Sequence, residues 1–214
     1  VEMASTEREN LKNQVMEMIF GEVDTGAPRI VAKRDSLDQQ PACFRLDDVT
    51  LRGERPWPLL ESVSFDIRRG EILGIAGIDG NGQKELAEVI AGQRKLDSGE
   101  VFLDDEPVSS LSVAARQKRG IRYVTDDRHG EGTVGELSIS LNTVLKRVGQ
   151  RPFWRRSRVR NSLIREFATN LVREHDVRTP NGEVPIANLS GGNVQKVVVG
   201  REFALEPRVA VYNK

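Results

Sequence analysis

Apolar and polar residues follow two periods along this chain, and the switches between them mark its parts. Over residues 1–20 the period is helical. Leu11, Val15, Met16, Met18 and Ile19 form one stripe, Thr6 and Glu9 make a capping box, and Gly21 can end the helix. This helix has nothing local to pack on. Residues 22–41 are polar and aperiodic, the pattern of a linker. From Phe44 the period drops to two: Phe44-Arg45-Leu46, Val49-Thr50-Leu51 and Val63 to Ile67 alternate, with a turn over Arg52 to Pro58. Ile72 to Ala76 is a continuous apolar run bounded by glycine, which predicts a buried strand. Gln83 to Ala91 returns to helical spacing through Leu86, Ala87, Ile90 and Ala91.

Strand and helix then alternate. A turn over Leu96 to Glu100 leads to a strand at Val101–Leu103. Val113 to Lys118 predicts a short helix ending at Gly120, and Ile121 to Val124 a buried strand. Leu137 to Leu145 and Asn161 to His175 predict helices, the second with Leu163, Ile164, Phe167, Leu171 and Val172 on one side. A last helix runs from Ser190 to about Leu205, burying Val194, Val197, Val198 and Leu205, and a strand follows at Val209–Tyr212. An antiparallel lobe beside a strand/helix alternation is an α/β architecture.

The layout around Gly77 adds chemistry. Apolar strand, glycine-rich turn, then helix aims backbone N–H groups and a helix N-terminus at a phosphate. The glycines fall at Gly77, Gly80 and Gly82. That order fits the P-loop pattern G-x-x-x-x-G-K-[ST] as far as Gly82, not the dinucleotide order G-x-G-x-x-G. Beyond it the pattern departs: Gln83 stands at the lysine position and Lys84 at the Ser/Thr position. Gln83 donates a hydrogen bond without charge, and an ammonium cannot ligate magnesium. A backbone cradle is therefore expected without its catalytic side chains; the bland alternative is a tight turn with no ligand.

Composition narrows the class. The chain has 214 residues, 38% of them hydrophobic, enough for one domain with an appendage. Net charge is zero, so bulk electrostatics imply no affinity for nucleic acid or for a membrane surface. Cys43 is the one cysteine and excludes an internal disulfide. No apolar run approaches a membrane span, and no signal peptide is expected. The chain starts at Val1 and stops at Lys214 just after an apolar run, so both ends are expected to be cuts through a longer protein.

Three further stretches are candidates. Thr125 to Glu131 (TDDRHGE) is a charged loop at a strand C-terminus, where open α/β sheets line their ligand crevice. Asp126, Asp127, Arg128 and His129 are site candidates there, against a solvated turn with a local Asp–Arg pair. Lys146 to Arg160 is strongly basic, with Phe153 and Trp154 inside it. It could meet anionic lipid, an acidic partner or nucleic acid, or be a solvated surface loop. Asn188 to Lys196 (NLSGGNVQK) is a Ser-Gly-Gly turn opening a helix, with Ser190 a fitting N-cap and two glycines letting an anion approach.

Taken in order, these motifs resemble the ATPase domains of ABC transporters. "LSGGN-x-QKV" at Leu189 to Val197 resembles their signature motif. "GxxGNGQxEL" at Gly77 to Leu86 resembles the altered Walker A loop of the second ATPase domain in tandem proteins that import simple sugars or nucleosides. "GIRYVTDDRHGEG" resembles their "GIAYVPEDR" Q-loop region, with Asp126 where glutamine usually sits, and "EHDVRTPN" looks most like the nucleoside branch.

The resemblance implies a P-loop NTPase core with an antiparallel β lobe and an α-helical subdomain over about 134–188. Residues 1–21 would be the last helix of a preceding ATPase domain, 22–41 a linker, and 42–214 a second nucleotide-binding domain incomplete at its C-terminus. ATP would contact Gly77, Ile78, Asp79, Gly80, Asn81, Gly82, Gln83, Lys84, Glu85 and Asp126. Ser190, Gly191 and Gly192 would act in trans on the terminal phosphate held by the first domain. The Walker B strand ends in Asn213 and Lys214 where Asp and Glu would hold magnesium, so no metal ligand is expected here, and Mg2+ would belong to the other, intact site. Trp57 is a weak candidate for stacking on adenine. The implied partners are the first ATPase domain, membrane permease subunits and, indirectly, a solute-binding protein, at the cytoplasmic face of the inner membrane. The alternative is a regulatory or structural module that has lost nucleotide.

Overall fold

The antiparallel lobe is built on one long strand. In the computed structural model, which describes residues 40–54, 56–78 and 80–213, strand β1 (Ala42–Leu51) is the centre of a four-stranded sheet in the order β2-β1-β3-β4. Its neighbours are β2 (Leu60–Arg68) and β3 (Ser98–Leu103), with the two-residue β4 (Glu106–Pro107) beyond. All three pairings are antiparallel. The two alternating segments expected at Phe44 and Val49 are one strand, joined through Asp48 in a left-handed conformation (φ 49°) where the register slips. Phe44, Leu46, Val49 and Leu51 face inward with Val101 and Leu103. The helix expected over residues 1–21 and nearly all of the linker lie outside the described residues, and every element named here belongs to the unit that begins at Pro41.

Helix α1 (Gln83–Ala91) has the bounds its spacing predicts. Leu86, Val89 and Ile90 pack into the lobe's core, while Ala87 and Ala91 meet Tyr123. Burying each of the three larger side chains contributes about 2 kcal/mol. Helix α2 (Val113–Lys118) is capped by Ser112, whose hydroxyl accepts from Ala115 N at 3.3 Å. It delivers the fully buried Arg116. Arg116 Nη1 donates to the carbonyls of Val89 (2.6 Å) and Ile90 (2.8 Å), and Nη2 to Ser109 O at 2.8 Å. A cation thus satisfies the last carbonyls of α1, where the helix dipole favours positive charge.

Strand β5 (Ile121–Val124) pairs in parallel with β8 (Val209–Tyr212), from Ile121 opposite Val209 to Val124 opposite Tyr212. The rest of the α/β core differs from expectation. Ile72 to Ala76 is not a buried strand. Residues 71–78 have no sheet partner among the described residues, and Ile72 and Ile78 are 92% and 79% exposed. An extended segment becomes a strand only when a neighbour takes its N–H and C=O groups. β8 pairs with β5 alone, and no described strand runs beside residues 72–76.

The helical part is shorter than expected at its start. Ser138 caps α3 (Ile139–Thr143), accepting from Leu141 N at 3.2 Å. Buried Asn142 spends its amide on the carbonyls of Val134, Leu137 and Ser138. The helix predicted over Leu137–Leu145 therefore begins two residues late and gives way to a 3-10 turn, Leu145–Arg147. A two-stranded hairpin of β6 (Trp154–Arg155) and β7 (Arg158–Val159) leads to α4 (Asn161–Glu174). α5 (Gly191–Phe203) packs Val194, Val197 and Val198 against Val124, Ile139 and Ile186. Leu205 beyond it is half-buried.

Arg116→Met should lower the unfolding free energy by about 3 kcal/mol, since the carbonyls of Val89, Ile90, Ser109 and Leu111 each lose a donor, whereas Glu61→Gln on the exposed lobe surface should change it by less than about 0.5 kcal/mol. Urea denaturation of both variants tests this. Equal midpoints would remove the clamp assigned to Arg116.

Candidate functional site

The loop before α1 is closed by its own side chain. Gln83 Nε2 donates to Ile78 O at 3.2 Å, and Asn81 N donates to the same carbonyl at 3.2 Å. The Gln83 amide lies across Gly77, where an added Cβ would come within 2.3 Å of Nε2. Gly82 is the N-cap of α1 in the left-handed region (φ 97°), and a Cβ there would meet Leu59 O at 2.6 Å, so glycine is required. No side chain caps this end, which leaves the first-turn amides pointing out of the helix. Gly80, Asn81 and Gly82 therefore lie beside an open helix N-terminus, as expected; Asp79 lies outside the described residues.

Three elements meet at the start of α1. Lys84 Nζ lies 3.5 Å from Glu131 Oε1 and 4.0 Å from Glu88 Oε1. Glu131 Oε2 accepts from Thr125 Oγ1 at 2.8 Å. Asp126 Oδ1 accepts from Asn213 Nδ2 at 3.1 Å, and Asn213 N is held by Val124 O at 3.0 Å. The P-loop helix, the loop after β5 and the end of β8 thus converge through Lys84, Glu131, Thr125, Asp126 and Asn213. Glu131's charge, and then its hydrogen bond, hold the Lys84 ammonium above its usual range, against a small opposing desolvation. Behind them burial pushes the Tyr123 phenol up; its hydroxyl lies near Thr125 and Asn213 but makes no hydrogen bond of ordinary geometry. Glu85 sits in the first turn of α1 without a partner role in this cluster.

The loop after β5 also reaches the Ser-Gly-Gly turn. Asp127 folds it, accepting Gly130 N at its carboxylate (2.7 Å) and Glu131 N and Gly132 N at its carbonyl. Arg128 turns away from the aspartates, so the local Asp–Arg pair weighed from the sequence does not form among the described residues. Its Nη1 donates to Gln195 Oε1 at 3.4 Å, and its guanidinium lies against Gly191, where a Cβ would be 3.0 Å from Nη2. Ser190 is the N-cap residue of α5 by backbone conformation, yet its side chain caps nothing. Its hydroxyl accepts from Asn193 Nδ2 at 3.0 Å, while Asn193 Oδ1 accepts from Arg178 N. The turn is thus pre-set with the Ser190 hydroxyl held and Gly192 open. His129 is exposed, and Trp57 is exposed in the turn after β1.

Two features were missed from the sequence. Lys146 is not part of the basic surface: it is mostly buried, with Nζ 2.8 Å from Glu202 Oε1. Burial draws its ammonium below the usual lysine range, with Glu202 opposing. Arg201 Nε also meets Glu202 (3.1 Å), and its other nitrogens donate to Asn142 O and Gly132 O. The signal was present as an Arg-Glu pair inside an apolar helix, but nothing in the sequence places Lys146 opposite it.

Compared with known families, residues 60–212 match the description "ABC transporter". The chain belongs to the ABC transporter family. It is 34% identical over 181 residues to the guanosine import ATP-binding protein NupO of Bacillus subtilis, covering 84% of this chain and 36% of that protein. It is 36% identical to the glucose import ATP-binding protein TsgD13 of Haloferax volcanii, covering 80% of this chain and 32% of that one. The chain thus spans about a third of the length of the curated relatives it matches. Among solved structures, a nucleotide-free ATP-binding cassette from an ABC transporter superposes with a TM-score of 0.66 at 20% identity, covering 80% and 68% of the two chains. A dimeric ATP-binding cassette in a post-hydrolysis state, bound to ADP and Pi, gives 0.65 at 23%, covering 79% and 72%. The fold is accordingly the ABC ATPase form of the P-loop NTPase.

ABC ATPases hold ATP with a magnesium ion, and this ABC domain does not fit the metal. Lys84 only donates. Asn213 brings no charge, and its amide nitrogen faces Asp126. The glycine turn and open helix amides do fit a phosphate group.

Glu131→Gln should bring the Lys84 ammonium back toward 10.5, its ordinary value. Because the folded value is raised, the stability this pair adds is present below 10.5 and lost as pH rises through the folded value. Lysine side-chain NMR titration reads this, and an unmoved Lys84 in the variant would disconnect it from Glu131.

Proposed function

We propose that this chain is the second ATP-binding half of an ABC importer for simple sugars or nucleosides. Its own site is degenerate, and its main contribution is the signature turn that it lends to a partner ATPase domain. The observation that carries the reading is the pairing of an ordered Ser190-Gly191-Gly192 turn with a P-loop whose metal-facing positions hold Lys84 and Asn213. On this reading, Ser190 and the Gly191 and Gly192 amides reach the terminal phosphate of ATP held by the first domain of the same protein, where Mg2+ also resides. Gly77 to Glu85 and Asp126 form the second, non-hydrolysing nucleotide site. The names of the guanosine, glucose and ribose relatives support a sugar or nucleoside solute. Permease subunits and, indirectly, a solute-binding protein complete the assembly; this chain would lie peripherally at the cytoplasmic face of the inner membrane, with residues of about 134–188 toward the permease.

A nucleotide-free module is the second reading, and a specific contact favours it. The Gln83 amide lies across the cradle, and Lys84 is engaged by Glu131. Calorimetry with ATP and ADP, with and without magnesium, separates the two. Micromolar binding that does not need magnesium fits a degenerate holder, and none up to millimolar fits the module.

In the full-length protein, Ser190→Arg should abolish ATP turnover while leaving the fold intact. Turnover retained in that variant would remove the role given to the signature turn.

A further inference from the structure

Among the described residues, a one-sided run of positive charge lies on and around the β6–β7 hairpin. Between Glu136 and Glu166 the chain has no acidic residue and eight basic ones. Lys146 is spent on Glu202, Arg147 lies over the Phe153 ring at 4.6 Å, and Arg165 pairs with Glu183. The remaining five, Arg151, Arg155, Arg156, Arg158 and Arg160, are exposed and form no ion pair with another described residue.

The hairpin holds these charges at local cost. Arg155 pairs directly with Arg158 across the two strands, a like-charge juxtaposition that disfavours the pairing. The turn residues Arg156 (φ 48°) and Ser157 (φ 63°) both sit in the left-handed region, where hairpins ordinarily use Asn and Gly. Nothing within the described residues offsets either choice. The hairpin is also firmly mounted. Phe153 at its base is buried against Phe167 (ring centroids 5.3 Å apart), and Arg160 N donates to Phe153 O at 2.8 Å. Exposed Val148 and Val159 flank the arginines.

We propose that this hairpin docks on a bilayer surface rich in anionic phospholipid, with Arg155, Arg156 and Arg158 among the headgroups and Val148 and Val159 at the acyl boundary. Phosphate diesters at a membrane surface would screen the Arg155–Arg158 repulsion, and each arginine near such a surface adds to the attraction. Exposed aliphatic residues beside the charges suit an interface that is polar outside and apolar beneath. Nucleic acid fits less well. Its bases need exposed aromatic faces, and here Phe153 is buried while Trp154 packs edge-on against it. This surface does not depend on the nucleotide reading above; it is one part of the 134–188 segment, with the hairpin itself given to lipid and the rest of that segment left to the permease.

The test is co-sedimentation of the complete chain with vesicles of phosphatidylcholine alone or mixed with phosphatidylglycerol, at low and high salt. Binding is expected only with phosphatidylglycerol, and should fall as salt rises. Replacing Arg155, Arg156 and Arg158 together by Gln should weaken it about tenfold or more. The same three changed to Lys keep the charge and should retain most of the binding, which separates lost charge from a damaged fold. Failure to bind phosphatidylglycerol vesicles, equal binding to neutral ones, undiminished binding by the Gln variant, loss in the Lys variant, or displacement from vesicles by low concentrations of RNA would each overturn the proposal.

Discussion

A carboxylate shut away from water sets the terms for the helical half of the structure. Glu202 has no measurable exposure, and an unpaired charge in such a place costs many kcal/mol. Positive groups must therefore come to it from other elements. Lys146 arrives from the 3-10 turn after α3, and Arg201 from the same helix. Arg201 then reaches on to Asn142 O in α3 and to Gly132 O in the loop after β5. Removing one partner would strand the others, which makes such a network a strong constraint on geometry whatever its net contribution to stability. One buried ion cluster thus fixes α5 relative to α3 and to the charged loop.

The consequence falls on the two phosphate-directed turns. The loop after β5 is tied to α5 at both ends of that helix, through Arg128 beside Gly191 and through Gly132 O on Arg201. It is tied to α1 through Glu131 and Lys84. Two side-chain contacts and one folded loop thus connect the start of α1 to the Ser190 turn. The Lys84–Glu131 contact is exposed and the Arg201–Glu202 contact is buried, so the first is the one that a competing anion can exchange.

Much of this fold was legible in the sequence. Helices α1 and α2 and strand β5 have the bounds that periodicity and capping residues give, because their signals are local: Ser112 before α2, Gly82 before α1, four apolar residues in a row at β5. The glycine turn and the Ser190 turn were readable for the same reason. What failed was non-local. Ile72 to Ala76 carries a strand's composition, but no composition supplies the neighbour that a strand needs. Arg116 and Lys146 look like surface cations until α1 and Glu202 are placed against them. Ser190 was the expected cap, yet Asn193 takes its hydroxyl, a choice settled by Arg178 pulling on the other end of the Asn193 amide.

The division of labour between backbone and side chains explains how a site can lose chemistry and keep its shape. The turn at Gly80 to Gly82 owes its form to two left-handed glycines and to the hydrogen bonds that Asn81 N and the Gln83 amide make to Ile78 O, and the main-chain amides at the start of α1 do not titrate. Catalysis in a P-loop enzyme rests instead on a charged lysine, a metal and the carboxylates that hold it. On the proposed reading, Gln83, Lys84 and Asn213 stand where members of that second set would be, while the glycines of the turn remain. The result is a turn still shaped for an anion, with a fixed ammonium beside it that delivers positive charge but cannot polarise water as a metal does. On the proposed reading such a site would hold a phosphate without breaking it, and the chemistry would run through Ser190 at the partner domain's site.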